Sequence, residues 1–436
     1  MEFTTVVSIA GDGHDDAGHH RRPLLSSDDE IRPYPASPSP APDANPDQKP
    51  RRVASLDVFR GLTVAMMILV DDAGGAWPGI NHSPWFGVTV ADFVMPAFLF
   101  IIGVSAALVF KKTPNKTAAT TKAATRAIKL FVLGVILQGG YIHGRHSLTY
   151  GVDLDHIRWL GVLQRIAIGY FIAAISEIWL INNIPVDSAI SFMKKYFMEW
   201  IMAIMISALY VGLLLGLYVS NWEFKVQTSN SILTIPTPSN EVGMKMIQCG
   251  VRGSLGPPCN AVGLVDRILL GENHLYKNPV YKRTKECSVN SPDYGPPPPN
   301  APDWCLAPFD PEGLLSKPLY TVSYMLLTGG VSGFLLLLLY YIVDVINIKK
   351  PFILFQWMGM NALIVYVLAA CELFPALVQG FYWRSPENNL VDVTESLLQT
   401  IFHSKRWGTL AFVLLEIIFW CLAACFLHMK GIYLKL

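Results

Sequence analysis

The chain has 436 residues, of which 52% are hydrophobic and 15% are charged, and its formal net charge is +1. A mean hydropathy of +0.37 is too high for an ordinary soluble domain, and the apolar residues occur in runs long enough to cross a bilayer. The nearly balanced charge gives no indication of a nucleic-acid partner. We therefore expect an all-α, polytopic membrane helix bundle.

Residues 1–50 are polar and contain the low-complexity tract Pro35–Pro42. Because such a composition cannot bury a core, we expect a disordered tail on the cytosolic side. No cleavable signal peptide is visible in this stretch. The segment Arg21–Leu25 resembles a dileucine sorting signal of the endolysosomal or vacuolar kind, and a plain disordered segment is the alternative.

Eight apolar segments are candidate membrane spans, at roughly 56–73, 89–110, 126–142, 158–181, 197–220, 319–343, 352–374 and 407–428. A helix needs about 20 residues to cross about 30 Å of hydrocarbon, and each segment is close to that length. Lys and Arg concentrate in alternate loops, as the positive-inside rule requires, although the loop 375–406 departs from the pattern. This distribution predicts that both termini are cytosolic.

The longest connection, residues 221–318, is expected to be a lumenal loop between the first part of the bundle (51–220) and the second (319–436). It is rich in Pro, Gly and Asn, and it holds four cysteines: Cys249, Cys259, Cys287 and Cys305. An even number in a lumenal loop fits two disulfides in one of three pairings. Free thiols or a metal site are the alternative, but no CxxC spacing favours zinc, so we expect no metal.

A short polar loop between the first two candidate spans carries one histidine, His82. It lies between Asp71 at the end of the first span and Asp92 at the start of the second. Imidazole titrates near neutral pH, so it can accept and return a proton or an acyl group. Charged residues at both ends of an apolar segment are costly beside lipid and therefore indicate a site.

The motifs occur in one order along the chain: Ser55-Leu56-Asp57-x-Phe59-Arg60-Gly61, Gly74-Gly75, His82-Ser83-x-Trp85-x-Gly87-x-Thr89-Val90-Ala91-Asp92, Arg158-x-x-Gly161-x-x-Gln164-Arg165, Asp266-Arg267, His274-Leu275-Tyr276, Asp310–Gly313 and Gly359-Met360-Asn361. Together they resemble the heparan-alpha-glucosaminide N-acetyltransferase family of polytopic membrane acyltransferases, over roughly residues 51–436. The resemblance implies transfer of acetyl from cytosolic acetyl-CoA to a terminal glucosamine-like amino sugar on the lumenal side. It also implies an endomembrane location, vacuolar or lysosomal, and acetyl-CoA as cosubstrate.

Two departures from the family pattern predict a shortened, plant-like member. The family's large N-terminal lumenal domain has no counterpart, and the disordered tail stands in its place. The motif Asp310–Gly313 is followed almost at once by Leu319-Tyr320-x-x-Ser323-Tyr324, so a segment of the pattern is absent after Ser316. An inactive, truncated product is therefore one alternative reading.

The resemblance implies that His82 is the catalytic centre, assisted by Asp71 and Asp92. His82 either carries the acetyl group itself or deprotonates the acceptor amine, and the sequence does not choose between these routes. A histidine at a helix end that is hydrogen-bonded to a loop carbonyl is the structural alternative.

The remaining predicted site residues fall into two sets. The set expected to bind CoA is Arg60, Asp57, Arg165, Gln164 and Lys129. The set expected to bind the acceptor is Trp85, Arg158, His274 and Glu312. Structural alternatives stay open: Asp57 and Arg60 are spaced to pair with each other, the arginines can form ion pairs within the bundle, and the lysines can set topology.

A non-enzymatic transporter or binding protein would use the same intramembrane charges, so it is the rival function. The expected partners are acetyl-CoA, the acceptor and membrane lipid. A homodimer is also left open.

Overall fold

The computed structural model describes residues 53–74, 76–77, 79–83, 85–110, 115–138, 154–181, 184–185, 187–227, 242–275, 315–371, 378–382 and 388–434. Several predictions lie outside these residues, namely the disordered tail, the dileucine motif, Cys287, Cys305 and Glu312.

The described residues are mainly helical. The helices are α1 Ala54–Ala73, α2 Val90–Phe110, α3 Lys116–Leu137, α4 Val162–Trp179, α5 Ala189–Lys195, α6 Phe197–Gly216, α7 Ala261–Leu270, α8 Val322–Tyr340, α9 Ile353–Met360, α10 Ala362–Ala370, α11 Leu390–Ile401 and α12 Lys405–Met429. A π-helical turn, Tyr341–Val345, extends α8, and 3-10 turns span Leu154–His156, Glu272–His274 and Lys350–Phe352. The strands are β1 Tyr218–Val219, β2 Trp222–Gln227, β3 Val242–Ile247 and β4 Val251–Arg252, paired antiparallel as β1–β4 and β2–β3.

Five helices in the described part of the chain are long and apolar enough to cross a membrane: Val90–Phe110, Val162–Trp179, Phe197–Gly216, Val322–Val345 and Lys405–Met429. A sixth candidate is the pair Lys350–Met360 and Ala362–Ala370, which is bent by 71°. The chain therefore has the helices of a membrane protein. The count of five or six is smaller than the eight spans predicted, because α1 and α3 fall short.

The charged side chains of α1 and α3 explain that difference. Helix α1 carries Asp57 and Arg60 near its start and two acidic residues, Asp71 and Asp72, near its end, and the N-terminal part of α3 carries four basic residues. Both helices nevertheless have the length of a span, at 20 and 22 residues. Such helices can cross the bilayer if other parts of the protein cover their charged side chains. Mean hydropathy does not measure this covering.

Helix α1 runs antiparallel to α8, so the N-terminus of α1 lies near the C-terminal end of α8. At its N-terminus, the carboxylate of Asp344 accepts hydrogen bonds from the backbone nitrogens of Ala54 (3.2 Å) and Ser55 (3.0 Å). This interaction satisfies amide groups that a helix start leaves without intrahelical partners. The C-terminus of α1 leads into the loop that carries His82.

Helices α1 and α9 cross at two glycines, Gly61 and Gly359. A methyl group at Gly61 would overlap the backbone carbonyl of Phe355, and one at Gly359 would overlap that of Asp57. Small residues allow this close backbone approach between membrane helices. The largest buried apolar cluster surrounds the crossing and draws on α1, α2, α4, α9, α10 and α12.

The region after α6 is stabilised by a disulfide between Cys249 and Cys259, with 5.4 Å between their Cα atoms. Trp222 lies beside it and donates a hydrogen bond from Nε1 to the carbonyl of Pro258 (3.0 Å). The guanidinium of Arg267 stacks 3.8 Å from the centre of the Trp222 ring. One of the expected disulfides is therefore present.

Candidate active site

The loop that carries His82 is folded around the carboxylate of Asp92. Its Oδ2 atom accepts hydrogen bonds from the backbone nitrogens of Ser83 (3.2 Å) and Thr89 (3.0 Å) and from the hydroxyl of Thr89 (3.1 Å). Asp92 lies in the first turn of α2 and its side chain is fully buried. A carboxylate is favourable there because the helix N-terminus presents amide groups and a positive dipole end.

The second oxygen of Asp92, Oδ1, faces His82. The His82 Nδ1 atom lies 3.1 Å from this oxygen, and 52% of the histidine side chain is exposed. The imidazole is thus held by a buried carboxylate on one side and open on the other. That arrangement suits a group that exchanges a proton with a substrate.

A third group, Lys317, completes the cluster from the turn before α8. Its Nζ atom lies 2.8 Å from His82 Nδ1 and 3.2 Å from Asp92 Oδ1. Only 23% of its side chain is exposed, and this burial lowers the pKa of Lys317, although the Asp92 carboxylate opposes the shift.

Asp92 and Lys317 approach the same imidazole nitrogen, so they favour different tautomers of His82. A proton on Nδ1 is donated to Asp92, which leaves Nε2 with a lone pair and able to act as a base. A hydrogen bond from the lysine ammonium to Nδ1 instead requires the proton on Nε2. The geometry therefore makes Lys317 a determinant of which imidazole nitrogen carries the proton.

Two tyrosines follow Lys317 and tie its segment to the helices. The Tyr324 hydroxyl donates to the backbone carbonyl of Asp92. The Tyr320 hydroxyl accepts a hydrogen bond from Nη1 of Arg165 (2.9 Å), whose guanidinium also lies 5.7 Å from the Tyr320 ring centre. Residue 320 has a φ of 52°, which is uncommon for a non-glycine residue.

Further charged groups surround the cluster. Asp71 interacts electrostatically with both His82 and Lys317. Arg165 interacts electrostatically with Lys317 and with Asp266, which lies in α7. Burial raises the pKa of Asp266, and Arg165 together with Arg267 opposes that rise. Of the residues predicted for the site, the structure therefore places Asp71, Asp92 and Arg165 in the surroundings of His82.

Trp85 and His274 connect the loop to the region after α6. Trp85 is buried and donates from Nε1 to the carbonyl of Leu255 (2.8 Å), and it packs with Leu319. The Nδ1 atom of His274 lies 2.8 Å from the carbonyl oxygen of Ile157. Both residues hold segments together in the structure, and their acceptor-binding roles remain predictions.

The other residues predicted to bind CoA lie apart from His82. Arg60 donates to Asp57 (3.0 Å) and to Ser105 (2.6 Å), so the predicted i, i+3 pair is formed. Along α1, Arg60 lies about 16 Å from Asp71. Gln164 is buried against α3 near Arg158, whose backbone carbonyl it approaches at 3.5 Å, and Lys129 is exposed on α3. Arg60 and Asp57 thus form one group, and Gln164 and Lys129 lie elsewhere.

Lys317, Tyr320 and Tyr324 were not predicted as site residues. Tyr320 and Tyr324 belong to the motif that follows the point where a segment of the family pattern is absent. The signal was a lysine followed by two tyrosines at the start of an apolar span, but nothing local connects residue 317 with residue 82. Thr89 is part of one of the quoted motifs, but no role was predicted for it.

One cavity of about 390 Å³ opens between α2, α4 and α6. Its lining includes Glu177 and Glu199, whose negative charge disfavours the phosphates of CoA, and it contains none of the residues around His82. No group of three or more His, Cys, Asp or Glu side chains that could hold a metal ion occurs in the described part of the chain.

Comparison with known proteins connects this geometry to a family. Residues 52–227 match the family model described as "Heparan-alpha-glucosaminide N-acetyltransferase, catalytic", and this match includes His82 and Asp92. The heparan-alpha-glucosaminide N-acetyltransferase of Homo sapiens is 26% identical to the chain over 440 residues, which cover 85% of this chain and 60% of that protein. The protein of the same description from Mus musculus is 27% identical over 458 residues, covering 87% and 62%.

The chain therefore spans about 60% of the length of these relatives. Lys317 lies beyond the region matched by the family model. Over residues 52–227, the chain is therefore similar to the catalytic region of the heparan-alpha-glucosaminide N-acetyltransferase family.

Proposed function

We propose that the protein transfers an acetyl group from acetyl-CoA to the amine of an amino sugar, with His82 and Asp92 as the reacting pair. The observation that carries this proposal is the 3.1 Å approach of His82 Nδ1 to the buried Asp92 carboxylate. The pair lies within the region that matches the catalytic family model. The names of the two relatives support acetyl transfer to a glucosaminide.

In the proposed mechanism, Asp92 accepts a hydrogen bond from the Nδ1–H group of His82, which leaves the lone pair on Nε2 able to act as a base. The Nε2 atom takes a proton from the acceptor nitrogen as that nitrogen attacks the thioester carbonyl. The new C–N bond forms, the C–S bond breaks, and the imidazolium returns its proton to the departing CoA sulfur. Alternatively, Nε2 attacks the thioester first and passes the acetyl group to the amine in a second step. Both routes require the same tautomer.

We further propose that the donor and the acceptor approach from opposite faces of an endomembrane, with both termini in the cytosol. Arg60 and Asp57 lie toward the N-terminal end of α1, and His82 lies beyond its C-terminal end. Arg60 is a suitable group for CoA phosphates because guanidinium binds phosphate in bidentate fashion. This role would make α1 a true span.

A transporter remains the second candidate, since one observation favours it. The 71° bend between Lys350–Met360 and Ala362–Ala370 is a broken helix of the kind that transporters use at substrate sites. Such a protein would move its ligand and leave acetyl-CoA intact.

The deciding experiment is an assay of the purified protein in detergent with acetyl-labelled acetyl-CoA and glucosamine. We expect labelled N-acetylglucosamine and free CoA, both strongly reduced in His82→Gln. The matched control is His403→Asn, an exposed histidine whose φ of 49° asparagine adopts readily. Intact acetyl-CoA after incubation with well-folded protein would reject the transferase and leave the transporter.

A further inference from the structure

The ε-amine of Lys317 contacts the imidazole of His82 at Nδ1, whereas the proposed sugar acceptor uses Nε2 of the same ring. It lies within hydrogen-bond distance of the imidazole that would remove its proton, at 2.8 Å, and 3.2 Å from the carboxylate that balances the resulting imidazolium. An amino sugar that reacts by base catalysis must bring its nitrogen to the same imidazole.

The backbone around Lys317 holds the side chain in this place. The carbonyl of Lys317 accepts a hydrogen bond from the backbone nitrogen of Tyr320 (3.1 Å), and Ser316 and Thr321 bond to each other. Leu319 is buried in the small cluster around Trp85. The backbone carbonyl of Leu315, two residues before Lys317, accepts a hydrogen bond from the nitrogen of Gly87 (2.9 Å) in the His82 loop. The lysine is therefore fixed to the loop that it faces.

We propose that Lys317 is itself an acetyl acceptor, so that the protein acetylates its own active-site lysine when no sugar acceptor is bound. This inference rests on the proposed function, which supplies acetyl-CoA. The Lys317 ammonium passes a proton to Nδ1 of the His82 tautomer that carries its proton on Nε2, and the neutral Nζ attacks the thioester carbonyl. The C–N bond forms, the C–S bond breaks, and CoA leaves as the thiol after taking up the proton from His82. The new amide nitrogen releases its second proton to solvent. A stable amide remains on Lys317.

The surroundings of Lys317 support the required deprotonation. Burial lowers the pKa of this lysine, and Arg165 lowers it further, while Asp92 and Asp71 act in the opposite direction. Because the folded protein binds this proton less tightly than free lysine does, the reactive amine becomes more abundant as pH rises toward the lysine's ordinary pKa of 10.5. Self-acetylation should therefore accelerate between pH 7 and about pH 9.

Acetylation of Lys317 would have a defined consequence for the site. The amide carries no charge, so the ion pair with Asp92 is lost, and the added acetyl group fills space beside His82. We expect the acetylated protein to be inactive toward sugar. Acceptor that is already bound should protect the lysine, because both amines compete for one imidazole.

The test incubates the full chain with ¹³C-acetyl-CoA and locates the label by peptide mass spectrometry. We expect one stable acetyl group per chain on Lys317. The labelling of Lys317 should exceed that of the exposed Lys349 by about 100-fold, the lower end of the rate gain that a positioned general base provides. Glucosamine should suppress the label, and His82→Gln should abolish it in protein that elutes as a folded species. Hydroxylamine treatment separates the two candidate adducts, since it removes acetyl from imidazole and leaves acetyl-lysine intact.

A parallel sugar assay distinguishes the failure of this inference from that of the proposed function. Acetylated glucosamine with unlabelled Lys317 would overturn self-acetylation and leave the transferase standing. Equal labelling of Lys317 and Lys349, unchanged in His82→Gln, would show surface chemistry alone and would also overturn it. Absence of both products would reject the transferase and self-acetylation together.

Discussion

At the scale of single residues, Asp92 performs two tasks with its two oxygens. Oδ2 holds the loop through Ser83 and Thr89, and Oδ1 faces His82 and Lys317. The loop and the base are thus fixed by one buried group. A substitution that preserves shape and removes charge should separate the two tasks.

Asp92→Asn is predicted to reduce kcat by about 10²- to 10⁴-fold, because the amide no longer enforces the Nδ1–H tautomer of His82. The fold should persist, since the amide oxygen still accepts from the loop. Initial rates of acetyl transfer and a thermal melt measure the two effects. The control is Asp187→Asn at an exposed position. A variant within threefold of the unchanged protein would contradict the assignment of Asp92.

Lys317→Met is predicted to shift the acid limb of the pH profile for kcat/KM to higher pH, relative to Lys317→Arg. A cation beside His82 opposes protonation of the imidazole, and methionine removes that opposition while arginine keeps it. The shift should be up to about one pH unit, equivalent to roughly 1.4 kcal/mol. Profiles between pH 5 and 8 measure it. Coincident acid limbs in the two variants would show that Lys317 does not act on the imidazole.

His82 and Asp92 could be proposed as site residues from the sequence because one short polar segment between apolar segments contains both. Lys317 could not be proposed, because 235 positions along the chain separate this residue from His82. A contact of that range arises from helix packing, and no periodicity reports it. Gln164 was chosen for its position beside Arg165, but it faces α3 instead.

At the scale of elements, the crossing of α1 and α9 positions the backbone from which the site extends. The two glycines bring the helix backbones into contact, and the buried cluster around them includes Val64, Ile68 and Met358. Gly61 lies in the N-terminal half of α1, and Asp71 lies near the other end of the same helix.

Gly359→Ala is predicted to destabilise the protein by about 1 to 3 kcal/mol, because its methyl group overlaps the backbone of Asp57. Thermal unfolding in detergent should show a lower Tm. The matched control is Gly330→Ala in α8, where an added methyl group meets no atom within 4 Å. Alanine favours helix, so this control should be neutral or slightly stabilising. Equal Tm values for the two variants would contradict the close crossing.

Helix bounds could be predicted well where the polarity changes sharply, as at Val90–Phe110. Residues 126–142 were predicted as a membrane span, whereas the helix α3 already begins at Lys116 with a polar turn. Asn115 caps that turn by accepting from the nitrogen of Ala118 (3.1 Å). The segment 352–374 was predicted as continuous, but it bends at Asn361, whose side-chain nitrogen lies 3.4 Å from the carbonyl of Ala424. Short strands between α6 and α7 were not anticipated.

At the scale of the whole molecule, the region after α6 braces the active-site loop. The disulfide Cys249–Cys259 closes a segment that includes Leu255, and the carbonyl of Leu255 holds the Trp85 side chain. Trp85 in turn lies in the loop with His82. The disulfide is thus connected to the reacting histidine through a short chain of contacts.

Cys259→Ser is predicted to lower stability by about 2 to 3 kcal/mol, the usual effect of opening a short disulfide loop, and to lower kcat. A thermal melt and initial rates measure these effects. The control is Cys425→Ser in α12, which lies outside the braced region. Full activity with an unchanged Tm would show that the bridge does not support the loop.

The separation between Arg60 and the His82 cluster leads to a prediction about sidedness. If Arg60 receives the phosphates of CoA near the N-terminal end of α1, the thioester must extend along the bundle toward His82, while the sugar enters at the exposed face of the imidazole. In sealed proteoliposomes sorted for one orientation, acetylated glucosamine should form only when acetyl-CoA is on the side of the protein's N-terminus and glucosamine is on the other. Detergent should restore activity in every arrangement, which provides the internal control. Product formed with both substrates on the same side of intact vesicles would mean that a single entrance serves donor and acceptor, and α1 would then need no membrane-crossing role.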